Sequence, residues 1–263
     1  MRFPSGPDET ARHGRYHHPL LRNLVRTATV FIAIVTVAAV TGCSARQEIV
    51  LDSNGAGVAT IEIRLDPVFA AYLTDLSAGL GAEDDAPLFE VDAITEAFAR
   101  RPGLELQDLS VPSREKLHLT VAFDSVEQIL ALEGRSLTRF LRFERTEQFR
   151  RVAADIDRRA IEHFTGLTGV DPVVLESLLP PEPDMTRSAY QDHLAWALEE
   201  YARERSLDTV FDESRIVTDI SPPGRIVRVQ GGTVRSGRAV FTTPLVDAAI
   251  TPRPLEYSLV FVP

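Results

Sequence analysis

Residues 47–65 read QEIVLDSNGAGVATIEIRL, and this stretch decides the fold. Two β-favouring runs, Gln47–Leu51 and Val58–Leu65, flank Asp52-Ser53-Asn54-Gly55-Ala56-Gly57. Asn-Gly supplies the left-handed backbone a tight hairpin needs, so the pair reads as two antiparallel strands. In the second run Ile61, Ile63 and Leu65 alternate with Thr60, Glu62 and Arg64, the pattern of a strand with one buried and one wet face.

Further along the chain, Asp66-Pro67 opens a helix through about residue 78, with Phe69, Leu73 and Leu76 as its apolar stripe. An acidic loop, 79–87, precedes a helix capped by Asp92 and stopped near Arg101 by Pro102-Gly103. Leu104–Val111 and Leu117–Phe123 predict a second hairpin. A short helix follows at 125–132, and Thr138–Val152, with Phe140, Phe143 and Phe149, reads as strand. The middle, about 157–205, is helical. Its clearest helix is Thr186–Arg205, where Tyr190, Leu194, Ala197, Leu198 and Tyr201 share a face.

The last sixty residues return to strands at Ile216–Ile220, Ile226–Gln230, Ala239–Thr242 and Tyr257–Val262, punctuated by glycine and proline. The first part is short of strands and the last part supplies them. The expected class is therefore α+β: a mainly antiparallel sheet of N-terminal hairpins and C-terminal strands, with helical cover and a helical insertion at about 157–205, in one domain spanning 43–263.

The N-terminal side has the layout of an export signal. Arg12, Arg15, Arg22 and Arg26 precede an uncharged run from Thr27, and small residues lead to Val40-Thr41-Gly42-Cys43. These four residues resemble the lipobox of bacterial lipoproteins. The resemblance implies that residues 1–42 are a signal peptide cut between Gly42 and Cys43. It also implies a diacylglyceryl thioether on Cys43, and acylation, typically by palmitate, of the new amino group. Several acyl chains bury many methylenes at about 0.8 kcal/mol each, which makes attachment effectively permanent. The competing reading is an uncut signal anchor, because the uncharged run Thr27–Ala45 approaches the roughly 20 residues a helix needs to span a bilayer. Residues 1–20 are a long lead for a signal peptide, which points to a start codon set too early. Only Ser44-Ala45-Arg46 separate Cys43 from the first predicted strand, a reach of at most about 14 Å, so the domain is expected to sit against the membrane.

Charge and cysteine content exclude several functions. The net charge is −10, and residues 1–42 carry five arginines against Asp8 and Glu9, which leaves −13 for the remainder. So acidic a domain is repelled by phosphate backbones, which excludes nucleic acid as a partner, and is pushed away from anionic lipid headgroups as well. The single cysteine rules out an internal disulfide and a cysteine-rich zinc site.

The block Pro223-Gly224-Arg225-Ile226-Val227, then Gly231-Gly232, then Gly237-Arg238-Ala239-Val240-Phe241, together with the lipobox and the early hairpin, resembles the LppM-like lipoprotein domain. The resemblance spans most of residues 43–263. It implies a cell-envelope domain with lipid binding and carries over no enzymatic activity. This chain departs from it in its large helical middle and in having no membrane-spanning run between the last strand and Pro263.

No catalytic set stands out. Asp155-Ile156-Asp157 is a carboxylate pair that reads as a strand end and helix cap. Glu83-Asp84-Asp85 lacks the spacing and glycine of a calcium loop. His118 alternates onto a polar strand face, and His163 and His193 lie on separate predicted helices. Neither Gly55-Ala56-Gly57 nor Gly231-Gly232 has the lysine or spacing of a phosphate loop. No metal or cofactor is expected. Trp196, off the apolar stripe of its helix, is the candidate contact for a partner, lipid or membrane. Tyr190 and Tyr201 are candidate ligand contacts that double as core residues.

The expected function is a non-catalytic binding or structural module, lipid-anchored outside the cytoplasm. With Ser44 after the cysteine rather than aspartate, the outer membrane is favoured where there is one. The alternatives are a carboxylate-dependent hydrolase acting on envelope material, for which 36 acidic residues after residue 42 leave ample choice, and a subunit of an envelope assembly or export complex.

Overall fold

A computed structural model describes residues 43–79, 87–126, 140–157, 179–182, 185–202 and 205–263. The predicted signal region, the lipobox-like residues Val40, Thr41 and Gly42, Glu83-Asp84-Asp85, His163 and most of the predicted helical segment before residue 185 lie outside them.

The described chain is α+β, and its sheets are mostly antiparallel. Strands β1 (Cys43–Leu51) and β2 (Gly57–Leu65) form the expected hairpin. Asp52 holds its turn, its carboxylate accepting from the backbone N–H of Asn54 at 2.7 Å and of Ala56 at 3.0 Å, while Gly55 takes φ +91°. Helices α1 (Pro67–Gly79) and α2 (Val91–Ala99) follow, then β3 (Leu104–Ser113) and β4 (Lys116–Phe123). Next come β5 (Leu141–Arg145), β6 (Arg150–Ile156), α3 (Arg187–Ala202) and α4 (Leu207–Glu213). The chain ends in β7 (Arg215–Ser221), β8 (Arg225–Gln230), β9 (Gly232–Arg235), β10 (Arg238–Pro244), α5 (Leu245–Ile250) and β11 (Leu255–Val262).

Two sheets form rather than one. The larger has seven strands in the order β3-β4-β2-β1-β7-β10-β9, and the smaller has four in the order β5-β6-β11-β8. The C-terminal strands complete the N-terminal sheet as expected, through a parallel pairing of β7 on β1 that joins Ser44–Val50 to Arg215–Ser221. The chain passes from the small sheet to the large one at Gly231. Its φ is +73°, and an added Cβ would lie 2.4 Å from the Glu256 carbonyl, so this crossing needs glycine.

One face of the seven-stranded sheet is covered in two halves. Near the Cys43 end, Ile63, Leu65, Leu117 and Leu119 pack under the helices with Phe69, Ile94, Tyr190, Leu194 and Leu198. Further along the strands, Leu51, Ala59, Phe123, Ile220 and Phe241 pack against Val152, Leu259 and Phe261 of the small sheet. Among the described residues, neither helices nor small sheet cover the other face.

Several sequence expectations need correction. Strand β1 begins at Cys43, not Gln47, because Ser44-Ala45-Arg46 are paired on both sides by β2 and β7 and Ala45 is buried. Asp92 lies in the first turn of α2, and Glu90 occupies the cap position. The segment read as one strand over 138–152 is the hairpin β5–β6, turned at Thr146, whose hydroxyl accepts from the N–H of Phe149 at 3.0 Å. Asp155, by contrast, sits at the end of β6 as expected, paired with Arg142 at 2.8 Å. Helices α4 and α5 and strand β9 were not expected.

Candidate functional site at the Cys43 end of the sheet

Strand β1 is the central strand of the large sheet, and Cys43 is its first residue. Antiparallel and parallel register place residues of neighbouring strands in rows across the sheet, with side chains on one face. On the uncovered face the row nearest Cys43 is Lys116, Arg64, Ser44 and Arg215. All four are exposed, and the three cations have no ion pair among the described residues.

The next row is His118, Glu62, Arg46 and Val217. His118 stands 3.8 Å from Glu62 and 3.7 Å from Asp108. The third row holds Thr120, Thr60, Glu48 and Asp219, and Asp108 of β3 lies opposite Thr120. Arg46 reaches up to this row, donating from Nε to Glu48 at 3.1 Å and from Nη2 to the buried Asp219 at 2.8 Å. The face is therefore charge-sorted. Three cations lie beside Cys43, charges are mixed in the next row, and three carboxylates follow in the third.

Two concavities meet at the first row. One of ≈ 650 Å³ opens over the sheet end, where Asp66, Glu115, Arg205 and Glu213 join it. Arg205 binds Asp66, and Glu213 at 3.0 Å, which offsets one of their two negative charges. Glu115 accepts from the Ser113 hydroxyl at 3.1 Å. The other, of ≈ 390 Å³, runs onto the open face past Arg46, Glu62 and His118. Ser44, Arg64, Lys116 and Arg215 line both. The arrangement suits an anion.

The sequence-derived contacts do not converge on one place. Tyr190 has 0% exposure and belongs to the helix–sheet core, so its burial leaves it a packing residue. Tyr201 is half-buried, edge-on to Tyr72 with ring centroids 5.7 Å apart. Its phenol is held above the ordinary range by desolvation, and its hydrogen bonds to Glu200 and Asp75 push the same way. Trp196 is 80% exposed on the far side of α3. Among the described residues no three His, Cys, Asp or Glu side chains gather as a metal-binding group. The Glu48–Asp219 carboxylate pair on the open face is bridged by Arg46.

The cation row itself escaped the sequence reading. Its members lie far apart in the chain, and only the register of four strands brings them together.

No protein-family model matches the chain, and no curated protein sequence does. Among solved structures, the chain is similar to the NMR structure of the folded domain of LppM from Mycobacterium tuberculosis, with a TM-score of 0.38 and 9% identity over 85% of this chain and 91% of that one.

Proposed function

We propose that this is an exported lipoprotein, cut before Cys43 and held on a membrane by a diacylglyceryl thioether at that residue. Its folded part is a non-catalytic binding or structural module of the cell envelope that works at the bilayer surface. The observation that carries the reading is the position of Cys43 as the first residue of the central strand. An anchor there passes straight into the most heavily paired part of the sheet with no flexible stalk.

The same observation weighs against an uncut signal anchor. With Cys43, Ser44 and Ala45 committed to β1, the uncharged run left for a spanning helix is 27–42. At 1.5 Å per residue that is about 24 Å, short of the roughly 30 Å hydrocarbon core. Among the described residues no helix is long and apolar enough to cross a membrane. The region between helices and sheet is filled by fully buried side chains such as Phe69, Tyr190, Leu194 and Leu198. This favours binding at the anchor-side surface over an apolar ligand held among them. The ion-bridged Glu48–Asp219 pair gives a hydrolase no free general acid and base.

Cys43→Ala tests the anchor. The wild-type protein is expected in the membrane fraction, labelled by palmitate and released only by detergent. The variant is expected to accumulate as unlabelled precursor. A variant that is still processed and still membrane-bound overturns the reading.

A further inference from the structure

We propose that the row Lys116–Arg64–Arg215, flanking Ser44, docks on anionic phospholipid headgroups of the bilayer that carries the Cys43 anchor, holding the large sheet upright on the membrane. This rests on the anchor reading above and adds the surface that meets the lipid and the headgroup chemistry it selects.

Net charge alone argues the reverse, since residues 43–263 carry −13. Distance decides the matter. Ser44 is one residue from the anchor, about 3.3 Å along an extended strand. The three cations level with it therefore lie within a few ångströms of Cys43 in height along the strand, Arg64 and Arg215 one strand to either side and Lys116 two strands away, about 10 Å across the sheet. The carboxylates of Glu48, Asp219 and Asp108 lie two rows further on, about 13 Å away. The screening length at physiological salt is about 8 Å. The bilayer therefore meets the first row nearly unscreened and the third row beyond a screening length. The acids beside the cations are mostly occupied. Arg205 holds Asp66 and Glu213, and Glu115 takes the Ser113 hydroxyl. The two concavities lined by Ser44, Arg64, Lys116 and Arg215 leave room for phosphate groups between the side chains. With the sheet upright, the acidic third row of the open face stands clear of the lipid, two rows above the docking cations.

Lys116 is the only lysine in the chain, so an amine-reactive acylating reagent reports on this row directly. The full-length mature protein, purified in detergent from its native membrane, is reconstituted on phosphatidylcholine vesicles and on vesicles of phosphatidylcholine mixed with phosphatidylglycerol. The rate of Lys116 modification is read by peptide mass spectrometry. A cation near an anionic surface gains about fivefold in occupancy of the docked state, so Lys116 is expected to react at least about fivefold more slowly on the anionic vesicles. That protection is expected to vanish in about 1 M salt, where the screening length is about 3 Å. It is also expected to vanish in the Arg64→Gln/Arg215→Gln double variant. Equal rates on the two vesicle types, or protection that survives the double variant, overturn the docking. Sedimentation separates the two readings. Protein that pellets with both vesicles at equal Lys116 rates overturns docking alone. Protein that pellets with neither overturns anchor and docking together. Protein that pellets only with anionic vesicles overturns the anchor and leaves the cation row as a lipid-binding surface.

Discussion

Gly57→Ala is expected to destabilise the protein by about 3 kcal/mol, lowering Tm by roughly 6–12 °C for a chain of this size. Gly57 opens β2 and is paired with Leu51 on one side and Phe123 on the other. A Cβ there would sit 2.2 Å from the Val50 carbonyl oxygen and 2.8 Å from the Phe123 ring. The first obstacle is backbone held in the hairpin, so it cannot swing aside. Relief requires opening the β1–β2 ladder at the end of the central strand. Gly79→Ala is the control. Nothing lies within 4 Å of a Cβ at Gly79, so that change is expected to be neutral or stabilising by up to about 1 kcal/mol. Thermal melts of the two variants check the pair, and equal effects would contradict the close approach at Gly57.

Phe69→Ala is expected to cost about 3–5 kcal/mol. Phe69 has 0% exposure and lies on α1, in the cluster that joins the helices to the large sheet. Removing its ring loses apolar burial and leaves a cavity that neighbours on two rigid elements cannot close. Trp196→Ala deletes a larger side chain, yet it is expected to stay within about 0.5 kcal/mol of the wild type, because Trp196 is 80% exposed. Chemical denaturation resolves the difference. A Trp196→Ala cost comparable with that of Phe69→Ala would mean α3 is packed on its outer face as well.

Much of the fold is legible in the sequence where a segment carries its own instructions. Asn54-Gly55 between alternating runs announces the first hairpin, and the buried side chains Ile63, Leu65, Leu117 and Leu119 all fall on the faces the alternation assigns them. Tyr190, Leu194 and Leu198 likewise sit on the predicted stripe of α3. The failures come where neighbours decide. Ser44-Ala45-Arg46 has little strand propensity and is extended because two flanking strands hold it. Leu245–Ile250, apolar except for Asp247, is a six-residue run too short for periodicity to assign to helix or strand, and it is helical. Thr146 makes the turn between β5 and β6 with a hydroxyl, where the reading looks for glycine or proline.

The candidate site divides the same way. Cys43 is visible from four adjacent residues. The cations around it come from three strands and become neighbours only through register, so a sum of charges over the chain hides them. An average of −13 coexists with a first row of three positive side chains.

The attachment at Cys43 is tested most directly by mass spectrometry of the N-terminal peptide of the protein purified from its native membrane. The expected product begins at Cys43 and carries a diacylglyceryl thioether on its sulfur. A native chain that begins at any other residue, or a Cys43 with a free thiol, would contradict the account.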